Sequence, residues 1–252
     1  MIRSPKSLLK AATLAALTAL MGAPALAQDA PEELDVALSL ATMLQSARQV
    51  IGSKQDLIND PDLGDKGLSG EQVLSEAIQA YLERTDEDPL EAPEGSLKAE
   101  LLDAQMAAIR EVIDENQGTI NRSGIGFKGF VPATFARLVN ERFDDKVGAQ
   151  AVVKVTAPPT LVRNRKSRPD AWETQIIADH LLSEDWKPGA VFHDAADLNG
   201  RAGYRVLVPE YYGQACLVCH GGPKGDIDMT GYPKEGGALH DLGGVISITI
   251  FE

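Results

Sequence analysis

The chain has 252 residues, of which 37 are acidic and 24 basic, for a formal net charge of −13 at pH 7. That acidity argues against nucleic acid and against anionic lipid surfaces as partners, since both would repel it. It suits a basic partner protein, and acidity is also a common feature of soluble surfaces.

In chain order, Arg3, Lys6 and Lys10 form a basic region around the start of an apolar stretch from Leu8 to Leu20, and Ala25-Leu26-Ala27 is a small-residue cleavage site. A signal peptide over 1–27 is predicted, with cleavage after Ala27. Losing its three basic residues takes the net charge to −16. The alternative is an uncleaved N-terminal anchor, but the apolar run falls short of the roughly 20 residues that a spanning helix needs. No later segment is long and apolar enough to span. A periplasmic protein with no transmembrane helix in its mature chain is expected.

From Glu33 to about Ile120 the pattern is helical, giving a helical segment over 28–120. Leu40, Leu44, Ala47 and Val50-Ile51 recur at helical spacing, as do Val73, Leu74, Ile78 and Leu82. Asn59 to Gly64 is a loop, Ser69 is a helix start, and Asp86 to Gly95 is an acidic, proline-containing break. A third helix is predicted from Ser96 to about Gln117. After the glycine-rich Gly124 to Gly129, a helix is expected over Ala133 to Phe143. Strands are predicted at Gln150 to Val155, Thr160 to Arg163, Gly203 to Val208 and Gly244 to Phe251, with an amphipathic helix from Asp170 to Leu182. Helices first, then a mainly antiparallel sheet, imply an α+β fold, with a second unit over 121–252.

Between the last two strands lies Cys216-Leu217-Val218-Cys219-His220, which uses both cysteines of the chain. C-x-x-C-H is the attachment signature of a c-type haem. Each thiol adds across one vinyl group of the porphyrin, and the adjacent imidazole binds the iron. A buried structural pair, half of a zinc site and a redox dithiol are the alternatives. A zinc site would want a second pair of ligands, and no further C-x-x-C or H-x-H is present. The export signal favours haem, because covalent attachment in bacteria takes place outside the cytoplasm.

Three blocks in order resemble the Tll-like haem-binding family: Gly126-Phe127-Lys128-Gly129-Phe130-Val131-Pro132-Ala133, then Arg163-Asn164 with Arg168-Pro169-Asp170-Ala171-Trp172-Glu173, then Cys216 to Gly221. The resemblance covers most of the mature chain. It implies one covalent haem c in a PAS-like domain behind an N-terminal helical segment, with redox or small-ligand sensing as its role and no established catalytic activity. It also implies a structural part for Asn164, Asp170 and Glu173. His220 would be the proximal iron ligand. A cysteine thiolate opposite the histidine, known in the family, is impossible here without losing a thioether, because no third cysteine exists. Candidates for the distal position are His180 and Met106 first, then His193, His240, Met43, Met229 and Lys128; a water ligand or an open position are the other options. Arg163 or Arg168 could pair with a haem propionate, or make ion pairs with Asp170 or Glu173. Tyr204, Tyr211, Tyr212 and Tyr232 lie near the motif in sequence, and one of them is expected to pack against the porphyrin.

No Gly-x-Ser-x-Gly elbow, Walker loop or His-Glu-x-x-His helix is present. An enzyme would need an open distal face with an acid-base group. The remaining roles are a sensor of redox state or of a diatomic gas, and a small electron carrier. With the chain ending at Glu252, any signalling output is expected in a separate partner protein.

Overall fold

The computed structural model describes Met1, residues 31–148 and residues 150–251. The predicted signal peptide, Met1 apart, lies outside the described residues.

Among the described residues six α-helices come first: α1 (Glu32–Ser53), α2 (Gln55–Asn59), α3 (Gly70–Thr85), α4 (Leu97–Glu115), α5 (Gln117–Ile120) and α6 (Pro132–Val147). Their starts are written locally. Glu32, Glu33 and Asp35 place negative charge in the first turn of α1, where the helix dipole favours it. Ser69 accepts a hydrogen bond from the Gln72 N–H, and Ser96 one from the Ala99 N–H. Pro132 opens α6, where its missing N–H costs nothing. Along α1, Val36, Leu40, Met43, Leu44, Ala47 and Ile51 form one buried face, and Leu101, Leu102, Met106, Ile109 and Ile113 do the same on α4.

A four-stranded antiparallel sheet follows, in the order β1 (Ala151–Thr156), β4 (Leu242–Phe251), β3 (Gly203–Tyr211), β2 (Phe192–Ala195). The fold is α+β, as the sequence implies. Alternation sorts the two faces. Val153, Ile248 and Val206 share a register row, as do Ala151, Ile250 and Tyr204, and these side chains join the helical core. One apolar core therefore includes helix and sheet residues, with α1 packed on β3 and β4.

The other face carries a smaller cluster of Leu207, Leu242 and Val245 against Ile176, Ile177 and Leu181. Those three come from α7 (Ala171–Ile176) and the π-helical turn Ile177–Leu181 that continues it. Asp170 and Glu173 form a reciprocal capping box at the start of α7. The same carboxylates hold the buried Arg205 (2.6 Å from Asp170) and Lys154 (2.6 Å from Glu173), and Asn164 caps the Lys166 N–H. Ion pairing thus falls to Arg205 and Lys154 rather than to Arg163 or Arg168.

One expected strand is absent from the described residues and one observed strand was not expected. Thr160 to Arg163 is not a strand: Pro158-Pro159 opens a turn, closed by the Leu161 N–H on the Pro158 carbonyl. β2 was not foreseen. It is a short, exposed edge strand, so its sequence carries no alternating apolar pattern. Among the described residues no helix is long and apolar enough to cross a membrane.

Candidate functional site

β3 and β4 are sheet neighbours, and the chain between them makes a long excursion whose two ends stay paired. The Tyr212 N–H donates to the Asp241 carbonyl and the His240 N–H to the Tyr212 carbonyl, each at 2.9 Å. The cysteine motif lies in this excursion. Gln214–Cys216 is a single 3-10 turn, and Leu217–His220 forms the one-turn helix α8. Helical backbone brings residues three apart to the same side, which sets Cys216 and Cys219 as neighbours. Both are free; Cys216 is exposed and Cys219 half-buried. Burial pushes the Cys219 thiol up, with Asp228 adding to it, so its surroundings do not produce an activated thiolate.

Three contacts fix His220. Its Nδ1 lies 2.9 Å from Glu235 Oε2. Its ring stacks on Tyr212 with centroids 5.1 Å apart and planes inclined by 18°. Its carbonyl accepts the Gly237 N–H at 2.8 Å, while the Gly221 carbonyl accepts the Gly236 N–H at 3.1 Å. Tyr212 can approach because glycine stands at two positions: a Cβ on Gly243 would lie 2.1 Å from its ring, and one on Gly237 2.6 Å away. Burial pushes the Tyr212 hydroxyl up to about 12, and the carboxylate of Glu235 adds to this.

Beneath the motif sits an acidic pair clamped by one arginine. Arg163 uses all five of its N–H groups. Nε and Nη2 meet the two Glu235 oxygens at 2.7 and 3.0 Å, Nη1 meets Asp228 Oδ2 at 2.6 Å and Thr230 Oγ1 at 3.4 Å, and Nη2 also reaches the Cys219 carbonyl at 3.0 Å. The Asp228 side chain is fully buried. Burial alone would raise its carboxyl, but Thr230 and Arg163 outweigh that and hold it below the usual carboxylate range. Glu235 is lowered in the same way: burial works upward, and Arg163 heads the groups that outweigh it.

Arg48 of α1 approaches from the helical layer. Its Nη1 donates to both oxygens of Glu210, at 2.6 Å to Oε1 and 2.5 Å to Oε2, at the bulge where β3 ends. The Arg48 guanidinium is held above its usual range: burial opposes the charge, but Glu210 outweighs it and Cys216 adds to the effect. Its Nε is buried without a hydrogen-bond partner among the described residues.

The other sequence candidates are scattered. Arg168 is exposed, and its carbonyl accepts from Lys154. The exposed His180 packs on Phe192 at 4.8 Å. Met106 and Met43 are buried in the helical core, to which no residue of the motif belongs. Lys128 donates to the Ile58 and Asp60 carbonyls, and His193 is bound by the Tyr204 hydroxyl at 2.6 Å. Met229 and His240 are exposed within the excursion. Of the four tyrosines, Tyr212 is the one stacked on His220, while Tyr232 lies under the Arg163 guanidinium, 5.5 Å away. Arg48, Glu210, Asp228 and Glu235 were not foreseen. Each is an ordinary charged residue in its own sequence neighbourhood, and Arg48 and Glu210 are 162 positions apart. For the zinc alternative, no group of three or more His, Cys, Asp or Glu side chains is placed to hold a metal among the described residues.

A family model described as Tll0287-like matches residues 91–250. Among solved structures, the crystal structure of the cyanobacterial heme-protein Tll0287 is similar at 14% identity and a TM-score of 0.45, with 88% of this chain and 97% of that chain covered. No curated protein matches this chain.

Proposed function

The chain belongs to the Tll0287-like family, and from that premise we propose that it is an exported haem-binding protein, carrying one covalent haem c for redox or small-ligand sensing. One observation carries the reading. Cys216 and Cys219 present free thiols three positions apart on one helical turn, beside a His220 whose Nδ1 is already taken by Glu235. Nε2 is then the ring nitrogen left to bind iron.

The side chains fit a porphyrin. Addition of each thiol across a vinyl group forms a carbon–sulfur bond and moves the thiol proton to the neighbouring carbon, so no oxidant is consumed. Val218, Ile227, Met229, Tyr232 and Leu239 are all exposed within the same excursion, and this is apolar surface that a bound porphyrin would cover. A haem held there would supply a one-electron couple and, where its sixth position is open, a site for a small diatomic ligand. Cys216 and Cys219 would tether the group, His220 would meet it through Nε2, and Tyr212 would keep the imidazole from turning. Arg163, with every N–H engaged by protein acceptors, serves the scaffold of the site rather than a propionate. Export to the periplasm is supported by the basic, apolar and Ala25-Leu26-Ala27 elements of the N-terminus. A separate redox or signalling protein would be the partner, and the acidity of this chain suits a basic one.

A small electron carrier is the second reading. It is favoured by the exposure of Cys216 and of Val218 beside it, 60% exposed, which would leave a haem edge open to a partner.

The test is a pyridine haemochrome and a denaturing mass measurement on protein made with the cytochrome maturation machinery. Haem should stay with the denatured chain and be lost in the C216S/C219S variant. A wild-type chain without haem mass would overturn the proposal. Carbon monoxide then separates the roles: a shifted reduced Soret band supports ligand sensing, and an unmoved one supports the carrier.

A further inference from the structure

We infer that Glu235 is a positioning residue for the iron ligand: it holds the proton of His220 on Nδ1, presents Nε2 to the metal, and lowers the reduction potential of the bound haem. The inference rests on the haem reading above and goes beyond it to a residue that no motif marks.

The geometry carries it in three steps. A carboxylate accepts and does not donate, so the 2.9 Å contact makes Nδ1 the protonated nitrogen and leaves the Nε2 lone pair outward. Second, Glu235 is not a mobile surface acid. Its side chain is 15% exposed, and both of its oxygens are bound by Arg163. The two residues after it, Gly236 and Gly237, hydrogen-bond to the carbonyls of Gly221 and His220, which pins the arm bearing Glu235 to the backbone bearing the ligand. Third, the ring face is fixed by Tyr212, so the imidazole cannot swing away from the carboxylate.

A carboxylate behind a ligating histidine orients the ring and raises its donor strength. A stronger, partly anionic donor favours the more highly charged oxidised iron, so the potential falls. Arg163 limits the effect. Its Nη2 shares Glu235 Oε2 with His220, so the carboxylate is partly neutralised and the proton stays on the imidazole.

The test uses haem-loaded full-length protein, with covalent haem confirmed first by denaturing mass; absence of haem from the wild type would defeat the haem reading and this inference with it, whereas the potentials of loaded protein test this inference alone. Spectroelectrochemical titration then compares the wild type with Glu235→Gln, which keeps size and removes charge. The oxidised form should lose at least tenfold in its equilibrium against the reduced form, an upward shift of about 59 mV for a one-electron couple. An unchanged or lowered potential would overturn the inference. Should E235Q carry no haem, Glu235→Asp takes its place, because its shorter side chain withdraws the carboxylate from Nδ1; the same rise is expected, and its absence again overturns the inference. Failure of both variants to mature would also overturn it, placing Glu235 in the fold of the loop rather than in the tuning of the iron.

Discussion

Replacing Arg163 with methionine removes the guanidinium that pairs with both acidic side chains under the motif, while keeping an apolar stem of similar length. The loss can be followed atom by atom. Asp228 Oδ1 keeps its hydrogen bonds from the Thr230 N–H, the Thr230 hydroxyl and the Tyr232 N–H. Oδ2 loses Arg163 at 2.6 Å, on a side chain with no exposure to water, and the Cys219 carbonyl loses a donor as well. Breaking a buried pair by removing one partner costs about 3–5 kcal/mol, because the other charge stays buried. Glu235 and Arg163 keep some solvent contact, at 15% and 19% exposure. The lower end, about 3 kcal/mol, is therefore expected, or a melting temperature lower by about 6–12 °C for a chain of this size. Urea unfolding at pH 7 measures it. The double variant R163M/D228N should recover at least about 1 kcal/mol relative to additivity.

The pH dependence supplies a second check. Asp228 and Glu235 have folded-state pKa values below their unfolded values, so their contribution is present above the unfolded carboxylate range and disappears as pH falls through the folded one. R163M lacks the share of that contribution that Arg163 supplies, so the gap between wild type and variant should close as the pH drops below about 4. A loss under about 1 kcal/mol, or a gap that does not change with pH, would refute the reasoning.

Three further outcomes are expected. Gly243→Ala places a Cβ 2.1 Å from the Tyr212 ring, forcing it off His220; overpacking of this kind costs about 1–3 kcal/mol in thermal unfolding, and an unchanged melt would show that the ring is not held there. Asp144 has one buried oxygen without a partner, and burial pushes its carboxyl up to about 6, above the unfolded value. Ionising it therefore destabilises the fold above that pH, so Asp144→Asn should add about 1–2 kcal/mol at pH 8, after allowance for partial exposure, and nothing at pH 4 in urea unfolding. Met106→Ala should cost about 2–5 kcal/mol as a core deletion and leave the visible spectrum of the haem protein unchanged; a changed spectrum would return Met106 to the ligand field.

How much was legible in the sequence varied with the range of the interaction. Ser69, Ser96 and Asp170 accept from N–H groups three positions ahead, and each helix start follows from them. β1, β3 and β4 followed from alternation, because one face of each meets the apolar core. β2 was missed because it is a short edge strand that commits only Phe192 to apolar packing and leaves its other residues exposed. Thr160 to Arg163 was misread as a strand because its β-branched residues resemble one. The two prolines before it close a turn instead, and Arg163 is held by acidic residues from the excursion between β3 and β4.

The sequence alone placed Cys216, Cys219 and His220 within five consecutive positions, the pattern on which the proposed haem attachment rests. It also settled the α+β order and the absence of a third cysteine. What surrounds His220 was decided only by tertiary structure. Pairing of β3 with β4 closes the excursion and folds Glu235 back onto Nδ1. Packing of α1 on the sheet brings Arg48 to Glu210. The turn after Pro158-Pro159 delivers Arg163 beneath both acids. Charges paired across such separations leave no periodic trace in a sequence, because any Asp, Glu or Arg at an exposed position looks the same until the chain has brought its partner into contact.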